Sequence, residues 1–316
     1  MEYGYALSSE EHRPRDLVAN AVKAEQLDFS FASISDHFHP WLDSQGQSAF
    51  VWAVLGGIAN ATERLRVGTG VTCPLIRVHP AILAQAAATV ADMMPGRFMF
   101  GVGTGENLNE HVLGDKWPAT EDRREMLIEA IAVIRQLWTG DLTSHHGDFY
   151  DVENARIYTL PDVLPPICVA ASGPEAAELA AEHGDGIWNN EGDPAVLEKF
   201  VAAGGTGPRI TQLTLCYADS VDAAVTTVAR KWPLVGFKGP LNQELPLPSH
   251  FELASAMVTE DVIRGALPLG PDPEPVLRRL SEYADAGYDH VYLHQIGSDQ
   301  VGFFDFWERE LRPQLG

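Results

Sequence analysis

The segment Ser35-Asp36-His37-Phe38-His39-Pro40-Trp41 packs a carboxylate, two imidazoles and two aromatic rings into seven residues. Imidazole titrates near neutrality, at about pH 6.5 when unperturbed, so such a cluster suits general acid or base chemistry. The same residues could equally satisfy one another as a hydrogen-bonded strand end. Metal binding is the other chemical reading, since alternate residues of an extended segment share a face and His37 and His39 would then both point inward beside Asp36. No further ligand follows at a recognisable spacing, and His145-His146 lies far along the chain, so no metal is expected.

A second candidate is Gly101-Val102-Gly103-Thr104-Gly105-Glu106-Asn107-Leu108-Asn109-Glu110. Its Gly-x-Gly-x-Gly spacing is one residue short of the dinucleotide fingerprint, and it lies outside the first βα unit, so the Rossmann reading is rejected. These glycines are expected to let a flat ligand approach the backbone, with Glu106 as the ionisable group beside it, unless Glu106 is only a solvated loop acid. The run Gly68-Thr69-Gly70-Val71-Thr72-Cys73 carries two glycines in a β stretch, which suggests a bulge or close ligand contact. Ala171-Ser172-Gly173-Pro174-Glu175 enters a helix, whose free N–H groups suit an anion without any cationic side chain.

These residues must be held by elements, and the chain alternates short apolar runs with stretches of helical period. Strands are expected over 3–7, 29–33, 65–70, 98–102, 167–171, 186–188, 210–217 and 290–295. Helices are expected over 14–26, 49–61, 80–93, 120–138, 174–182, 194–202, 221–231, 275–286 and 300–311, several opening with proline, which suits a first helical turn. A doubly wound sheet shares this alternation, but eight strands in 316 residues favour a (β/α)8 TIM barrel of about 250 residues plus insertions. One domain over residues 1–316 is expected, with insertions near 141–164 and 232–268, the latter including an uncertain helix over 251–264. In such a barrel the chemistry sits where strands end, which is where these unusual residues fall.

Composition narrows the function. With 44 Asp+Glu against 22 Lys+Arg the formal charge is −22, which argues against a nucleic-acid partner and a basic membrane-binding face. No run approaches the roughly 20 apolar residues of a membrane helix, and no signal-like leader opens the chain, so a cytoplasmic location is expected. Three scattered cysteines, Cys73, Cys168 and Cys216, read as reduced thiols rather than a disulfide frame or a zinc site.

Taken together, Ser35-Asp36-His37-Phe38-x-Pro40-Trp41, Val67-Gly68-Thr69-Gly70-Val71, Arg97-Phe98-x-Phe100-Gly101 through Glu110, Gln136-Leu137-Trp138-x-Gly140, and Gly173-Pro174 with Gly184-Asp185-Gly186 resemble the luciferase-like oxidoreductases. The nearest branch is that of the coenzyme F420-dependent glucose-6-phosphate dehydrogenases, and only the 232–268 segment matches poorly. The resemblance implies a bacterial luciferase-like barrel holding a deazaflavin, which carries hydride, so the expected enzyme is an F420-dependent dehydrogenase or reductase of an alcohol or carbonyl. It implies that His37 takes the substrate hydroxyl proton, that Glu106 exchanges a proton at the far end of the deazaflavin, and that Trp41 shields the reacting face. Which of His37 and Glu106 is acid or base stays open. Cofactor contacts are implied for Asp36, Gly70, Val71, Cys73, Thr104, Gly105, Asn109, Ser172, Gly173, Glu175 and Ala176, with a non-proline cis peptide at the Gly70-Val71 bulge. Cys73 stands where threonine is usual and Ser172 where glycine is usual.

A larger departure concerns substrate. The phosphate clamp of the sugar-phosphate enzymes, two lysines and an arginine, is matched here by Gly192 beside Glu191, by Leu241-Asn242-Gln243, and by Gly265 with Arg264 one place away. A carboxylate in place of cations repels a phosphate dianion in a water-poor pocket. Asn189, Glu191 and Arg264 are therefore expected to contact a small-molecule substrate that is not a sugar phosphate, such as an amino sugar or another polar biosynthetic intermediate. An F420-dependent sugar-6-phosphate dehydrogenase, an FMN-dependent monooxygenase, and a silent barrel that only binds a ligand are the alternatives. A homodimer is expected.

Overall fold

The computed structural model describes residues 1–237 and 239–315. Eight parallel strands close into a barrel: β1 (Glu2–Leu7), β2 (Phe31–Ile34), β3 (Arg66–Thr69), β4 (Phe98–Val102), β7 (Ile167–Ala170), β8 (Gly186–Asn189), β9 (Arg209–Leu215) and β10 (His290–Gln295). β5 (Thr143–His146) and β6 (Asp151–Ala155) form a separate antiparallel pair. The expected (β/α)8 barrel is thus observed. Its strands are short and mostly buried, along every residue in Phe31–Ile34 and Phe98–Val102, because one face meets the barrel interior and the other meets helices.

The barrel floor is filled by Phe31, Met99, Cys168, Trp188, Ile210 and Tyr292. The Trp188 ring explains two of the strand glycines: a Cβ on Gly68 would lie 2.9 Å from it, and one on Gly70 would lie 2.9 Å from it and 2.2 Å from Ser33 Oγ. Around the strands, Leu17, Leu55, Leu83, Ile134 and Phe303 belong to one continuous apolar layer between sheet and helices. Prolines open the helices Pro14–Gln26, Pro80–Met93, Pro174–His183 and Pro194–Ala202, where the missing N–H has no intrahelical partner.

The helix Val221–Lys231 departs from the expected ring. It packs against Pro233–Gly236 and Glu260–Ala266, while the helix that touches β9 and the ring helix Pro194–Ala202 is Glu274–Ala286. The second insertion therefore starts just after β9 and rejoins the barrel where Leu269 pairs with Cys216. The helix expected over 251–264 is two, Pro248–Ser255 and Glu260–Ala266. Because this insertion leaves from the C-terminal end of a strand, it lies over the mouth where barrel chemistry occurs.

The three cysteines are free and buried. Burial pushes the Cys168 and Cys216 thiols up to about 12, so neither is a ready nucleophile. No helix among the described residues is long and apolar enough to cross a membrane.

Candidate active site

A cavity of about 550 Å³ opens at the C-terminal ends of the strands, and His37, Trp41, Gly70, Val71, Glu106 and Glu191 all line it. His37 follows β2 and is nearly buried. Its Nε2 faces two carboxylates, Glu10 Oε1 at 3.3 Å and Glu106 Oε2 at 3.7 Å. Its Nδ1 lies 3.2 Å from the His39 carbonyl and 3.1 Å from Asn109 Nδ2. A carbonyl only accepts and an amide nitrogen only donates, so either tautomer of His37 has a partner waiting. With the proton on Nδ1, Nε2 is a free base aimed between two acids.

Glu10 was not visible from the sequence motifs. It lies just beyond β1 in Ser8-Ser9-Glu10-Glu11-His12, a polar strand end that the same positional rule would have singled out. Its Oε2 accepts from Ser35 Oγ at 2.6 Å and Ser8 Oγ at 3.1 Å. Burial by itself would raise this carboxyl. The neighbouring His37, the Ser35 hydroxyl, its own backbone N–H and His294 outweigh that and hold it below the usual glutamate range. Glu10 is therefore a carboxylate at neutral pH, ready to stabilise a charged His37.

Asn109 is fully buried and acts as a jig. Its Oδ1 accepts from the backbone N–H groups of Phe38 and His39 at 2.9 and 3.2 Å, while its Nδ2 lies 2.9 Å from Glu106 Oε2 as well as facing His37. Two carboxylate contacts and a fixed loop make His37 and Glu106 one unit rather than two loose groups. Trp41 tilts over His37 with ring centroids 4.9 Å apart and is backed by Phe251 at 5.2 Å.

Asp36 points elsewhere. Its oxygens accept from Thr72 Oγ1 at 2.8 Å and Arg77 Nη2 at 2.9 Å, and Arg77 also reaches Glu110, whose carboxyl burial raises despite the guanidinium. His39 also leaves the cavity, bonding Leu108 O at 2.9 Å and stacking on His111, so the two imidazoles do not share a face. Among the described residues no group of three His, Cys, Asp or Glu is placed to hold a metal ion.

The glycines of the Gly-x-Gly-x-Gly run are accounted for by protein neighbours rather than by clearance for a flat ligand. A Cβ on Gly101 would lie 1.9 Å from the Thr69 carbonyl, one on Gly103 2.8 Å from Val71, and one on Gly105 2.5 Å from Cys73 Sγ. They let β4 and the Gly70-Val71 bulge, whose peptide is cis, come together. Thr104 and Gly105 are half-buried beside this bulge, and Cys73 is buried beneath them.

On the other side of the mouth the helix Pro174–His183 begins at Gly173 with no side-chain cap, and the space around Gly173 is open apart from Glu175 Oε2 at 4.0 Å. Uncapped N–H groups over an open depression lined by Ser172, Gly173 and Lys199 suit a phosphate group. Glu175 itself is exposed and paired with Arg124, and Ala176 is half-buried.

The expected substrate residues divide. Glu191 lines the cavity, but the Asn189 amide is turned inward to Ala171 O, the Asp193 N–H and Tyr288, and its neighbour Asn190 lines the cavity instead. Arg264 does not line this cavity but an adjoining surface pocket that shares Leu267, Pro268 and Arg279 with it, and lies 2.7 Å from Asp222 and 3.7 Å from Glu260. The insertion had obscured the register there. Arg279, on the helix Glu274–Ala286, reaches the cavity rim instead, and it is the only Lys or Arg among the described lining residues.

The luciferase-like monooxygenase family profile matches residues 1–290. The chain belongs to the luciferase-like family. Within this family it is 34% identical to an F420-dependent glucose-6-phosphate dehydrogenase of Nocardia farcinica, over 100% of this chain and 98% of the relative. The corresponding enzyme of Beutenbergia cavernae is 35% identical, over 100% and 97%. A solved F420-dependent secondary alcohol dehydrogenase, in complex with an F420-acetone adduct, superimposes with a TM-score of 0.91 at 30% identity, over 98% of both chains. Coenzyme F420-dependent tetrahydromethanopterin reductase of Methanopyrus kandleri shares the fold, with a TM-score of 0.79 at 20% identity over 100% and 99%.

Proposed function

We propose that this protein is a coenzyme F420-dependent oxidoreductase that interconverts an alcohol and its carbonyl compound, and that its substrate is not a sugar phosphate. The two glucose-6-phosphate dehydrogenases and the secondary alcohol dehydrogenase named above, all at 30% identity or more, are F420-dependent, and this chain uses F420 as well. When bound, F420 accepts or returns a hydride. The chain's own part is protonic. His37, with its proton on Nδ1 and donated to His39 O, receives the substrate hydroxyl proton at Nε2. Glu10 and Glu106 then face a charged imidazolium, which a low-dielectric pocket could not otherwise tolerate. Trp41 and Phe251 keep water from that side of His37. Gly70, Val71 and Glu106 would lie against the ring, and Ser172 and Gly173 would hold the phosphate.

The observation that carries the reading is His37 set between two carboxylates in a cavity whose outer wall, from the insertion, is Trp232, Leu234, Val235, Phe237, Leu267 and Pro268. That wall is mostly apolar, interrupted by Asn242, whose buried Oδ1 has no partner among the described residues, and Arg279 at the rim is paired with Glu282. Neither a phosphate clamp nor a cation site is built there among the described residues, so a neutral alcohol or ketone fits better than a sugar phosphate or an amino sugar.

Loss of F420 absorbance and fluorescence on mixing with secondary alcohols tests this directly. Reduction with neutral alcohols at rates at least tenfold above glucose 6-phosphate is expected. Comparable rates with the sugar phosphate would overturn the substrate claim, and tight FMN binding without F420 binding would overturn the cofactor.

A further inference from the structure

Across the barrel from the Gly70-Val71 bulge, β9 turns Gln212 and Thr214 into the same cavity, and His294 of β10 lines it beside them. The side chain of Gln212 is held at both amide protons: Nε2 lies 2.6 Å from Thr214 Oγ1 and 3.3 Å from His294 Nδ1. The orientation of His294 is set in turn. Its Nε2 faces Glu11 Oε2 at 3.9 Å, both atoms are buried, and neither has another partner among the described residues. Glu11 Oε1 is anchored on the Gly297 N–H at 3.1 Å, and the Trp232 ring stands edge-on to the imidazole at 4.6 Å. No carbonyl faces His294 Nδ1 among the described residues, unlike His37 Nδ1 with the His39 carbonyl, and the one group facing its Nε2 is a carboxylate, so the proton sits on Nε2 and Nδ1 is left as the acceptor for the Gln212 amide. The consequence is directional: with both amide protons engaged, the carbonyl oxygen of this cavity-lining glutamine has no hydrogen-bond partner among the described residues.

We propose that Gln212 is a specificity-determining residue whose carbonyl oxygen accepts a hydrogen bond from a second hydroxyl of the substrate, remote from the reacting carbon, with Glu11 and His294 fixing its orientation. This deepens the proposed function and rests on it: the substrate class becomes a neutral alcohol that carries another hydroxyl. An acceptor that the substrate covers without offering a donor is costly, so a site built this way discriminates against the analogue that lacks the group more strongly than an apolar wall discriminates by size.

The test uses purified enzyme with F420, comparing 2-octanol with octanediols that keep the 2-hydroxyl and carry a second one at positions 4 to 8. For at least one diol kcat/KM should exceed that for 2-octanol by about tenfold, one hydrogen bond's worth, mostly through KM. The diol to 2-octanol ratio should fall to about one in Gln212→Leu, stay high in Gln212→Glu, which keeps an acceptor, and fall part-way in Glu11→Gln, which loosens His294. No diol preference in the wild type, or a preference that survives Gln212→Leu, overturns the inference while leaving the alcohol reading in place. F420 binding without oxidation of any of these alcohols overturns the alcohol reading and the inference with it.

Discussion

His37 meets two carboxylates, Glu10 and Glu106, and each has a separate consequence when removed. His37→Ala deletes the proton acceptor, and Glu106→Gln keeps the contact with Asn109 while removing a charge. Both are expected to lower kcat by about 100-fold or more, the usual worth of a positioned acid or base, with F420 affinity changed far less. Stopped-flow turnover beside a fluorescence titration of cofactor separates the two, and unchanged turnover would return both residues to a structural role. Glu10 gives a different signature, in stability. Its carboxyl sits below the usual glutamate range, so the folded protein holds that proton less readily than the unfolded chain. Its stabilisation is complete above the unfolded value and is lost as pH falls through the folded one. Wild type should therefore lose urea resistance more steeply than Glu10→Gln as pH falls below the ordinary glutamate value of about 4.3, and equal slopes would contradict the assignment. The sequence made His37, Trp41 and Glu106 legible because they stand in dense motifs at strand ends. Glu10 was missed because two serines and a second glutamate made its surroundings look like an ordinary polar loop. Arg264 misled because a shift of a few places inside an insertion moves a side chain to another face of its helix.

The elements divide into a barrel that was readable and an insertion that was not. The barrel strands are short and largely apolar, and several helices open on a proline, so position along the chain was enough to find them. The β5 and β6 pair has no such mark: Thr143-Ser-His-His is polar, and the turn is organised from outside by Glu129, which accepts the N–H groups of Asp148, Phe149 and Tyr150. The segment after β9 is held by small separate clusters, one of them built on Leu42, Leu108, Leu234 and Phe251. It is also tied to the loop after β2 by Gln45, which donates to Lys231 O and accepts from the Trp41 and Leu42 N–H groups. Such a unit can open without the barrel. Phe251 is fully buried there, between Trp41 and Phe237. Phe251→Ala removes a core ring worth about 3–5 kcal/mol, and the loss should be confined to the insertion. Hydrogen exchange is expected to speed up over residues 232–268 and around Trp41 while the strands keep their protection. Uniform acceleration across the barrel would instead make the insertion part of one cooperative unit.

At the scale of the molecule, an enzyme of net charge −22 must hold a cofactor bearing a phosphate and an acidic tail. The depression by Gly173 offers backbone N–H groups, which attract an anion only at short range, while Asp193, Glu198 and Glu175 stand around it with Lys199 and Arg124 as the nearby cations. Lys199 is already within 3.5 Å of Glu178, and Arg124 within 3.6 Å of Glu175. The long-range field is therefore repulsive and the local contact attractive, and salt acts on the two unequally. The screening length shrinks from about 30 Å at 0.01 M to about 8 Å at 0.15 M, which removes the distant repulsion while leaving contacts inside the depression largely intact. Affinity for F420, followed by quenching of its fluorescence, should consequently improve several-fold as sodium chloride is raised from 0.01 to 0.15 M, through a faster association rate. Most anion sites are built from lysine and arginine and weaken over that range. If affinity falls instead, Lys199 and Arg124 must leave their acidic partners to grip the cofactor directly, and Lys199→Gln would then flatten the salt dependence.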